Sequence, residues 1–317
     1  MKSNIPIAVC SRSFSKNEYL RKILEEKYSN IKFNDEGLSL SGESLINFLK
    51  DSERAITALE TIDDSILKEL PKLKVIGKYG VGLDMLDFDS MENHDVKLGW
   101  TPGVNKLSVA ELVISFSINL LRGINFSNYQ ISNQTWTQYK GRQLSSITFG
   151  IIGLGNIGKE IVRLLEPFGT KIVFHDIREY PDFENTVNIT RLPLKELLMQ
   201  SDIVSIHVPK NKSTINLLNK KNLSLLKRSS FVINTARGGL INEVDLIEAL
   251  NTQSIAGAAL DVFEEEPNFN KYFIENPNVI MTPHIGGSSL QAITKMGLAA
   301  IDGLENFKRP TEFNQYK

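Results

Sequence analysis

The stretch 147–176, ITFGIIGLGNIGKEIVRLLEPFGTKIVFHD, decides how the rest of the chain is read. An apolar run at 147–152 is short enough for a buried strand, and Gly153, Gly155 and Gly158 follow it in G-x-G-x-x-G spacing. Ile157, Ile161, Leu164, Leu165 and Phe168 then recur on one helical face until Gly169 stops it. A second apolar run, 172–174, ends at His175 and Asp176. Each position has a chemical reason. Gly153 permits a sharp turn out of the strand, Gly155 lets backbone approach a pyrophosphate, and Gly158 lets the helix pack closely on the strand. The free N–H groups and positive end of that helix would face the diphosphate, with Asn156 and Ile157 in its first turn. Asp176 follows Gly158 by 18 residues, at the tip of the second strand. A carboxylate there accepts hydrogen bonds from both ribose hydroxyls and repels a 2′-phosphate. The pattern therefore predicts NAD rather than NADP, with Arg178 as the one nearby cation.

At 317 residues the chain has room for two domains, each with its own core. Its 41% hydrophobic and 23% charged content is that of a globular protein, and a formal net charge of −1 gives no electrostatic footprint for nucleic acid or an anionic membrane. The single cysteine, Cys10, has no internal partner, which fits a reducing cytoplasm. The N-terminus lacks the features of a signal peptide, and no uninterrupted apolar stretch reaches membrane-spanning length. Four histidines are present without metal-ligand spacing, so no metal is expected.

From residue 5 to about 100, short apolar runs (5–10, 31–33, 55–59, 73–76, 96–98) alternate with amphipathic helical patterns (16–27, 43–51, 64–70 and a piece near Met91). That rhythm predicts a doubly wound parallel sheet. Its first strand is not followed by a glycine fingerprint. The glycines come later, in Lys78-Tyr79-Gly80-Val81-Gly82-Leu83-Asp84, where backbone N–H groups could meet an anion. Thr101-Pro102-Gly103 breaks the pattern and is the expected domain crossing. The run 108–122 is apolar on most sides and predicts a helix buried all round, either between domains or against a second subunit. After Asp176, strands are expected at 203–208, 231–234, 255–261 and 279–282, giving a six-stranded dinucleotide-binding unit with helices at 194–200, 217–226 and 243–250. The helical pattern at 288–307 follows the last strand and is expected to return to the N-terminal domain. The expected boundaries are 1–100 plus 287–317 for one domain and 101–286 for the other.

Ligands of open α/β sheets bind beyond the carboxyl ends of the strands. Those ends carry Asn234-Thr235-Ala236-Arg237-Gly238-Gly239, then Asp261-Val262-Phe263-Glu264-Glu265-Glu266-Pro267, then Thr282-Pro283-His284-Ile285-Gly286-Gly287. Taken singly, each has a bland reading as a surface arginine, a solvated acidic turn or a loop histidine. Together they bring one cation, one acid and one histidine to a single edge of a nucleotide fold.

The ordered set YGVGLD (79–84), TPGVN with SVAEL (101–112), GIIGLGNIG (150–158), HVP (207–209), INTARGGLINE (233–243), GAALDVFEEEP (257–267) and TPHIGGSS (282–289) resembles the D-isomer-specific 2-hydroxyacid dehydrogenases. The resemblance covers nearly the whole chain. It implies an α/β fold of two doubly wound parallel-sheet domains, a Rossmann NAD-binding domain inserted in a flavodoxin-like substrate domain. It implies hydride transfer between NAD and a small 2-oxo or D-2-hydroxy acid. Arg237 would hold the substrate carboxylate in a fork and polarise the C2 carbonyl. His284 would be the acid–base group, and Glu266 would favour its imidazolium. Tyr79 and the N–H groups of Val81 and Gly82 would bind substrate. Gly153, Gly155, Asn156, Ile157, Gly158, Asp176, Val208, Pro209, Thr235, Ala236, Arg237, Asp261, His284, Gly286 and Gly287 would line the coenzyme, and the long helix would pair two subunits in a homodimer.

Three departures bear on substrate and class. Met85 and Lys210-Asn211 replace residues frequent in the family. Ala58-Leu59-Glu60 stands where phosphoglycerate-specific members resemble Arg-Ser, and Glu60 would repel a phosphate. A small, non-phosphorylated acid is therefore the expectation, with D-3-phosphoglycerate kept open by Lys78. A non-catalytic NAD(H)-sensing protein, like the C-terminal-binding-protein corepressors, keeps the same residues and stays open as well. An acid at Glu266 argues against formate dehydrogenase, which resembles a Gln there.

Overall fold

Strands β1 (Ile7–Val9), β2 (Ile31–Phe33), β3 (Arg54–Thr57), β4 (Val75–Lys78) and β5 (Lys97–Gly99) pair in parallel in the order β2-β1-β3-β4-β5. Strand periodicity assigns their two faces. Ala8, Ala55, Ile76 and Leu98 enter one cluster, whereas Ile7, Val9 and Ile56 enter another with Leu20, Leu24, Ala300 and Leu304. Both faces are covered by helices, as a parallel sheet requires. The strand order is the flavodoxin-like one. The computed structural model describes residues 1–316, and these strands belong to the first of two units, Met1–Asn105 together with the segment from Leu290 onward.

The returning helix, Leu290–Asp302, lies on this sheet, as the pattern at 288–307 implied. Gly77 makes room for it, since a Cβ there would stand 2.4 Å from the Ala300 carbonyl oxygen. Arg54 fastens its far end, donating to the Leu304 carbonyl at 2.6 Å and pairing with Glu305 at 2.7 Å.

The second unit is Lys106–Ser289. It contains β6 (Thr148–Ile152), β7 (Lys171–His175), β8 (Ile189–Arg191), β9 (Ile203–Ile206), β10 (Phe231–Asn234), β11 (Gly257–Leu260) and β12 (Val279–Met281), all parallel, in the order β12-β11-β10-β9-β6-β7-β8. Alternation again divides the core. Ile152, Val173, Val204, Val232 and Ala258 face one cluster, and Phe149, Ile151, Phe174, Ile203 and Ile233 the other.

The structure corrects several expectations. The sheet has seven strands rather than six, because β8 is only three residues long and its middle residue, Thr190, is exposed. The chain crosses between units at Asn105 and Lys106 rather than at Thr101-Pro102-Gly103, and again after Ser289. The helix Lys106–Arg122 buries Val109, Ala110, Val113, Phe116, Ser117, Leu120 and Leu121. Leu107 on its other side is 42% exposed, and Leu112, Ile114 and Ile118 are only partly buried, so within the single chain one face of the helix stays half-covered, as the alternative of a second subunit allows. The polar stretch after it holds a further helix, Ile124–Ser132, tied down by Asn125, which donates to the Pro277 carbonyl at 3.0 Å. Among the described residues no single helix is long and apolar enough to cross a membrane.

Candidate active site and coenzyme site

The turn after β6 is built around three glycines with different duties. Gly153 has φ +98, and a Cβ on it would come within 2.5 Å of the His207 carbonyl and 2.9 Å of a Val208 methyl. A Cβ on Gly158 would stand 2.3 Å from the Gly153 carbonyl, so the helix Asn156–Leu165 seats on the strand only through a glycine. A Cβ on Gly155 would meet nothing within 4 Å. Its glycine is therefore not demanded by packing of the chain against itself. It leaves open the space outside the first N–H groups of the helix, the kind of place where helix N-termini bind anions. Ile157 is partly buried against the core, which leaves its backbone, with that of Asn156, as the part presented at the helix start.

Asp176 sits just past β7, half-buried. Its Oδ2 accepts from the Leu154 N–H at 2.6 Å and its Oδ1 from the Arg178 N–H at 2.8 Å, so the carboxylate is fixed against the glycine turn. Arg191 holds the loop from behind, donating to the Asp176 and Arg178 carbonyls at 2.8 Å each. The Arg178 side chain bonds the Tyr180 hydroxyl. Val208 borders the glycine turn, and the Pro209 carbonyl accepts from Thr214 at 2.6 Å.

His207, between β9 and Val208, is partly buried. Its Nε2 lies 2.7 Å from Ser205 Oγ, its Nδ1 is buried without a partner, and burial pushes its pKa down from 6.5 to about 3. Its surroundings favour the neutral imidazole.

The loops after β10, β11 and β12 lie against one another. Thr235 and Ala236 are buried, and the Asn234 amide bridges the loop by donating to the Arg237 carbonyl at 2.8 Å and accepting from the Ala236 N–H at 3.1 Å. Arg237, half-buried, donates to the Ala236 carbonyl at 2.7 Å. A Cβ on Gly238 would lie 1.7 Å from the Phe263 carbonyl, so the Arg237 loop and the Glu266 loop touch backbone to backbone. Glu266 accepts from the Phe263 N–H at 3.1 Å through Oε1, and its Oε2 meets His284 Nδ1 at 2.7 Å. With Nδ1 committed to a carboxylate, Nε2 is the nitrogen left for a substrate oxygen. Glu266 and His284, 18 residues apart in the chain, are thus in contact through the acid–histidine pair.

His284 itself has φ +54, a left-handed conformation unusual for a residue with a Cβ. Asp261, fully buried, accepts from Thr282 Oγ1 at 2.5 Å, the Ile285 N–H at 2.7 Å and the Gly286 N–H at 2.8 Å. Gly287 follows in the same turn, closed by the Ser288 N–H donating to the Ile285 carbonyl at 2.8 Å.

In the first unit, Tyr79 is 6% exposed: its ring packs edge-on against Phe14 at 5.7 Å and its hydroxyl bonds Ser13, so the side chain is committed to the core. Gly80 (φ +114), Val81 and Gly82 turn the backbone outward after β4. Lys78 is buried with its ammonium donating to the Ala58 carbonyl, and Glu60 accepts from the Ala58 N–H at 2.6 Å. Two contributors escaped the sequence reading. Gly238 was visible only as one of a glycine pair, and Ser108, whose Oγ donates to the Gly286 carbonyl at 2.7 Å, looked like a helix-start serine. Among the described residues no group of histidines, cysteines and acids could hold a metal ion.

Residues 114–286 match the family described as D-isomer specific 2-hydroxyacid dehydrogenase, NAD binding domain. D-3-phosphoglycerate dehydrogenase of Rattus norvegicus is 35% identical over 280 residues, 87% of this chain and 52% of the relative. Glyoxylate reductase of Pyrococcus horikoshii is 31% identical over 298 residues, covering 91% of this chain and 89% of that protein. The chain spans about half the length of the curated phosphoglycerate dehydrogenases it matches. Among solved structures, a glyoxylate reductase from Paecilomyes thermophila superposes with a TM-score of 0.84 at 25% identity, covering 96% of this chain and 95% of that one. A D-lactate dehydrogenase with NAD+ from Lactobacillus jensenii gives 0.78 at 26% identity, covering 95% and 96%. With its two parallel sheets, its glycine turn and this kinship, the chain belongs to the D-isomer specific 2-hydroxyacid dehydrogenase family.

Proposed function

We propose that the chain is an NAD-dependent oxidoreductase that interconverts a small 2-oxo acid and its D-2-hydroxy acid. The observation that carries this reading is the 2.7 Å contact between Glu266 and His284, on loops that leave the carboxyl ends of β11 and β12 in the sheet whose β6 carries the glycine turn. A nicotinamide coenzyme held at this edge would supply the hydride or take it up. His284 gives a proton from Nε2 to the C2 oxygen in reduction and removes it in oxidation, while Glu266 fixes the ring through Nδ1 and stabilises its charged form. Arg237 binds the substrate carboxylate and polarises the carbonyl. The N–H groups of Val81 and Gly82 bind substrate, with Tyr79 holding their loop in place through its buried ring. Gly153, Gly155, Asn156, Ile157, Gly158 and Asp176 hold the diphosphate and ribose. Val208, Pro209, Thr235, Ala236, Asp261, Gly286 and Gly287 border the coenzyme.

The substrate is read as non-phosphorylated because Glu60 places a carboxylate after β3 and the Lys78 ammonium is engaged by a carbonyl. D-3-phosphoglycerate is the second reading, favoured by the relatives of that name. The half-exposed side of the helix Lys106–Arg122 supports a homodimer, and a cytoplasmic location completes the proposal. NADH consumption with glyoxylate, hydroxypyruvate, pyruvate and 3-phosphohydroxypyruvate, run beside NADPH, tests all of this. Turnover of the unphosphorylated acids with NADH is expected. Preference for the phosphorylated acid would select the second reading, and silence on all four would point to a binding protein.

A further inference from the structure

Glu243 has no part in the chemistry above, yet it stands between the loops that carry it. It is the first residue of the helix Glu243–Asn251, which follows the Arg237 loop, and its N–H is one of the donors that a helix start leaves without an intrahelical partner. Glu264, on the loop that carries Glu266, supplies the acceptor, its Oε1 taking that N–H at 3.2 Å. The exchange runs the other way as well, since Glu243 Oε1 accepts the Glu264 N–H at 2.7 Å. Two acids 21 residues apart thus cap each other's backbone. The fit is close, because a Cβ on Gly238 would stand 2.7 Å from the Glu264 nitrogen. One residue earlier, Phe263 packs in the cluster with Leu240 and Leu246 and donates its N–H to Glu266 Oε1 at 3.1 Å. The path from Glu243 is therefore continuous: it runs through the Glu264 and Phe263 backbone to the Glu266 carboxylate, and from there to His284 Nδ1 at 2.7 Å.

We infer that Glu243 is a positioning residue for Glu266: its carboxylate holds the Glu264 N–H and so pins the loop after β11 in the place from which Glu266 meets His284. The inference rests on the reading of Glu266 and His284 as the acid–base pair. What the loop needs from Glu243 is an acceptor oxygen and not a charge. Burial, together with the charges of Glu264 and Glu265, already pushes the Glu243 carboxyl up towards its neutral form. A neutral amide of the same length offers the same oxygen and places its NH2 group among acidic neighbours, whereas alanine offers neither.

The test uses the full chain and three readouts: steady-state kinetics with the best 2-oxo acid, NADH affinity by fluorescence titration, and backbone amide exchange at Phe263 and Glu264. Glu243→Ala is expected to lower kcat about tenfold, with KM and the NADH Kd within about threefold of the parent, and to speed exchange at both amides about tenfold. Glu243→Gln should recover at least about half of the parent kcat, with exchange at both amides restored. In a Glu266→Gln background, Glu243→Ala should reduce the rate no further. Glu243→Asp keeps the charge at the helix start but shortens its reach, and it serves if Glu243→Ala does not fold. It should lower kcat about threefold and speed exchange of the same amides. Faster exchange at Glu264 with Phe263 unaltered would overturn the inference, since the contact would then stop short of Glu266. So would a Glu243→Gln variant as slow as Glu243→Ala, or NADH affinity that falls in step with kcat. Because exchange needs no turnover, a parent protein silent on every 2-oxo acid would fail the enzymatic reading, while the Phe263 amide would still decide whether Glu243 holds the loop.

Discussion

In the five-stranded sheet the chain leaves β1 through Ser11 into a helix of 4 residues, and in the seven-stranded sheet it leaves β6 through Gly153 into one of 10 residues. Both sheets are parallel, with apolar side chains alternating into a core on each face. They differ in what their carboxyl edges can tolerate. At Gly153 the backbone conformation and the neighbouring His207 carbonyl both forbid a side chain, whereas at Gly80 after β4 the conformation alone does, the nearest heavy atom being Lys78 Nζ at 3.9 Å. The lesson is that shared architecture leaves function to the strand ends. The edge prepared for a large rigid ligand is recognised by how tightly its loops are packed on one another.

The largest effect should come from the seven-stranded edge. His284→Ala removes the proton donor and is expected to lower kcat by about 10³-fold while NADH binds within a few-fold of the parent. Equal loss of both, measured by stopped-flow kinetics and fluorescence titration, would make the histidine a structural residue and erase the contrast between the edges.

Next come the glycines. Gly153→Ala meets the His207 carbonyl and a forbidden φ together, and should cost about 3 kcal/mol or more in the unfolding of its unit. Gly80→Ala meets the φ alone and should cost about 2 kcal/mol. Gly155→Ala, with nothing within 4 Å of its Cβ, should leave stability within about 0.5 kcal/mol yet weaken NADH binding by roughly tenfold. Calorimetry and titration of the three variants would break the comparison if Gly155→Ala proved the most destabilising.

Much of this was legible in the sequence because the signals were local. The run 147–176 contains its strand, turn, helix and acid within 30 residues, and the structure places β6, the helix Asn156–Leu165 and β7 there. The strand-end segments were legible for the same reason, and Glu266 and His284 do meet. What could not be read were features set by partners far along the chain. β8 exists because β7 offers Ile172–Phe174 as a template for the short, mostly polar run Ile189–Arg191. The helix Ile124–Ser132 has no buried residue to announce it and is held by Asn125 on the 277–279 segment. For the helix Lys106–Arg122 composition marks an apolar element but cannot say which face this chain covers and which it leaves half-covered. The resemblance names Asp261 as a coenzyme-side residue, and only the folded loop shows the three donors its carboxylate meets.

The smallest predicted effect separates the two units by pH. His207 belongs to the tightly packed edge, where burial depresses its pKa to about 3. Above 6.5 neither folded nor unfolded chain protonates it. Below 6.5 the unfolded chain binds a proton that the folded chain refuses until about 3, so stability is lost as pH falls through that window. Between pH 7 and 5.8 the loss should be about 1 kcal/mol. That range stays above the ordinary carboxylate values. It also avoids Asp202 and Glu184, whose carboxyls cationic neighbours and hydrogen bonds hold lower still. Glu243, pushed up chiefly by burial, works in the opposite sense and would only reduce the slope. In His207→Asn the slope of unfolding free energy against pH should flatten over this interval, whatever the variant's absolute stability. Denaturant unfolding at a series of pH values reads that slope. If the parent slope survives the substitution, the buried imidazole is not its source, and the enclosure of this strand end is looser than its geometry implies.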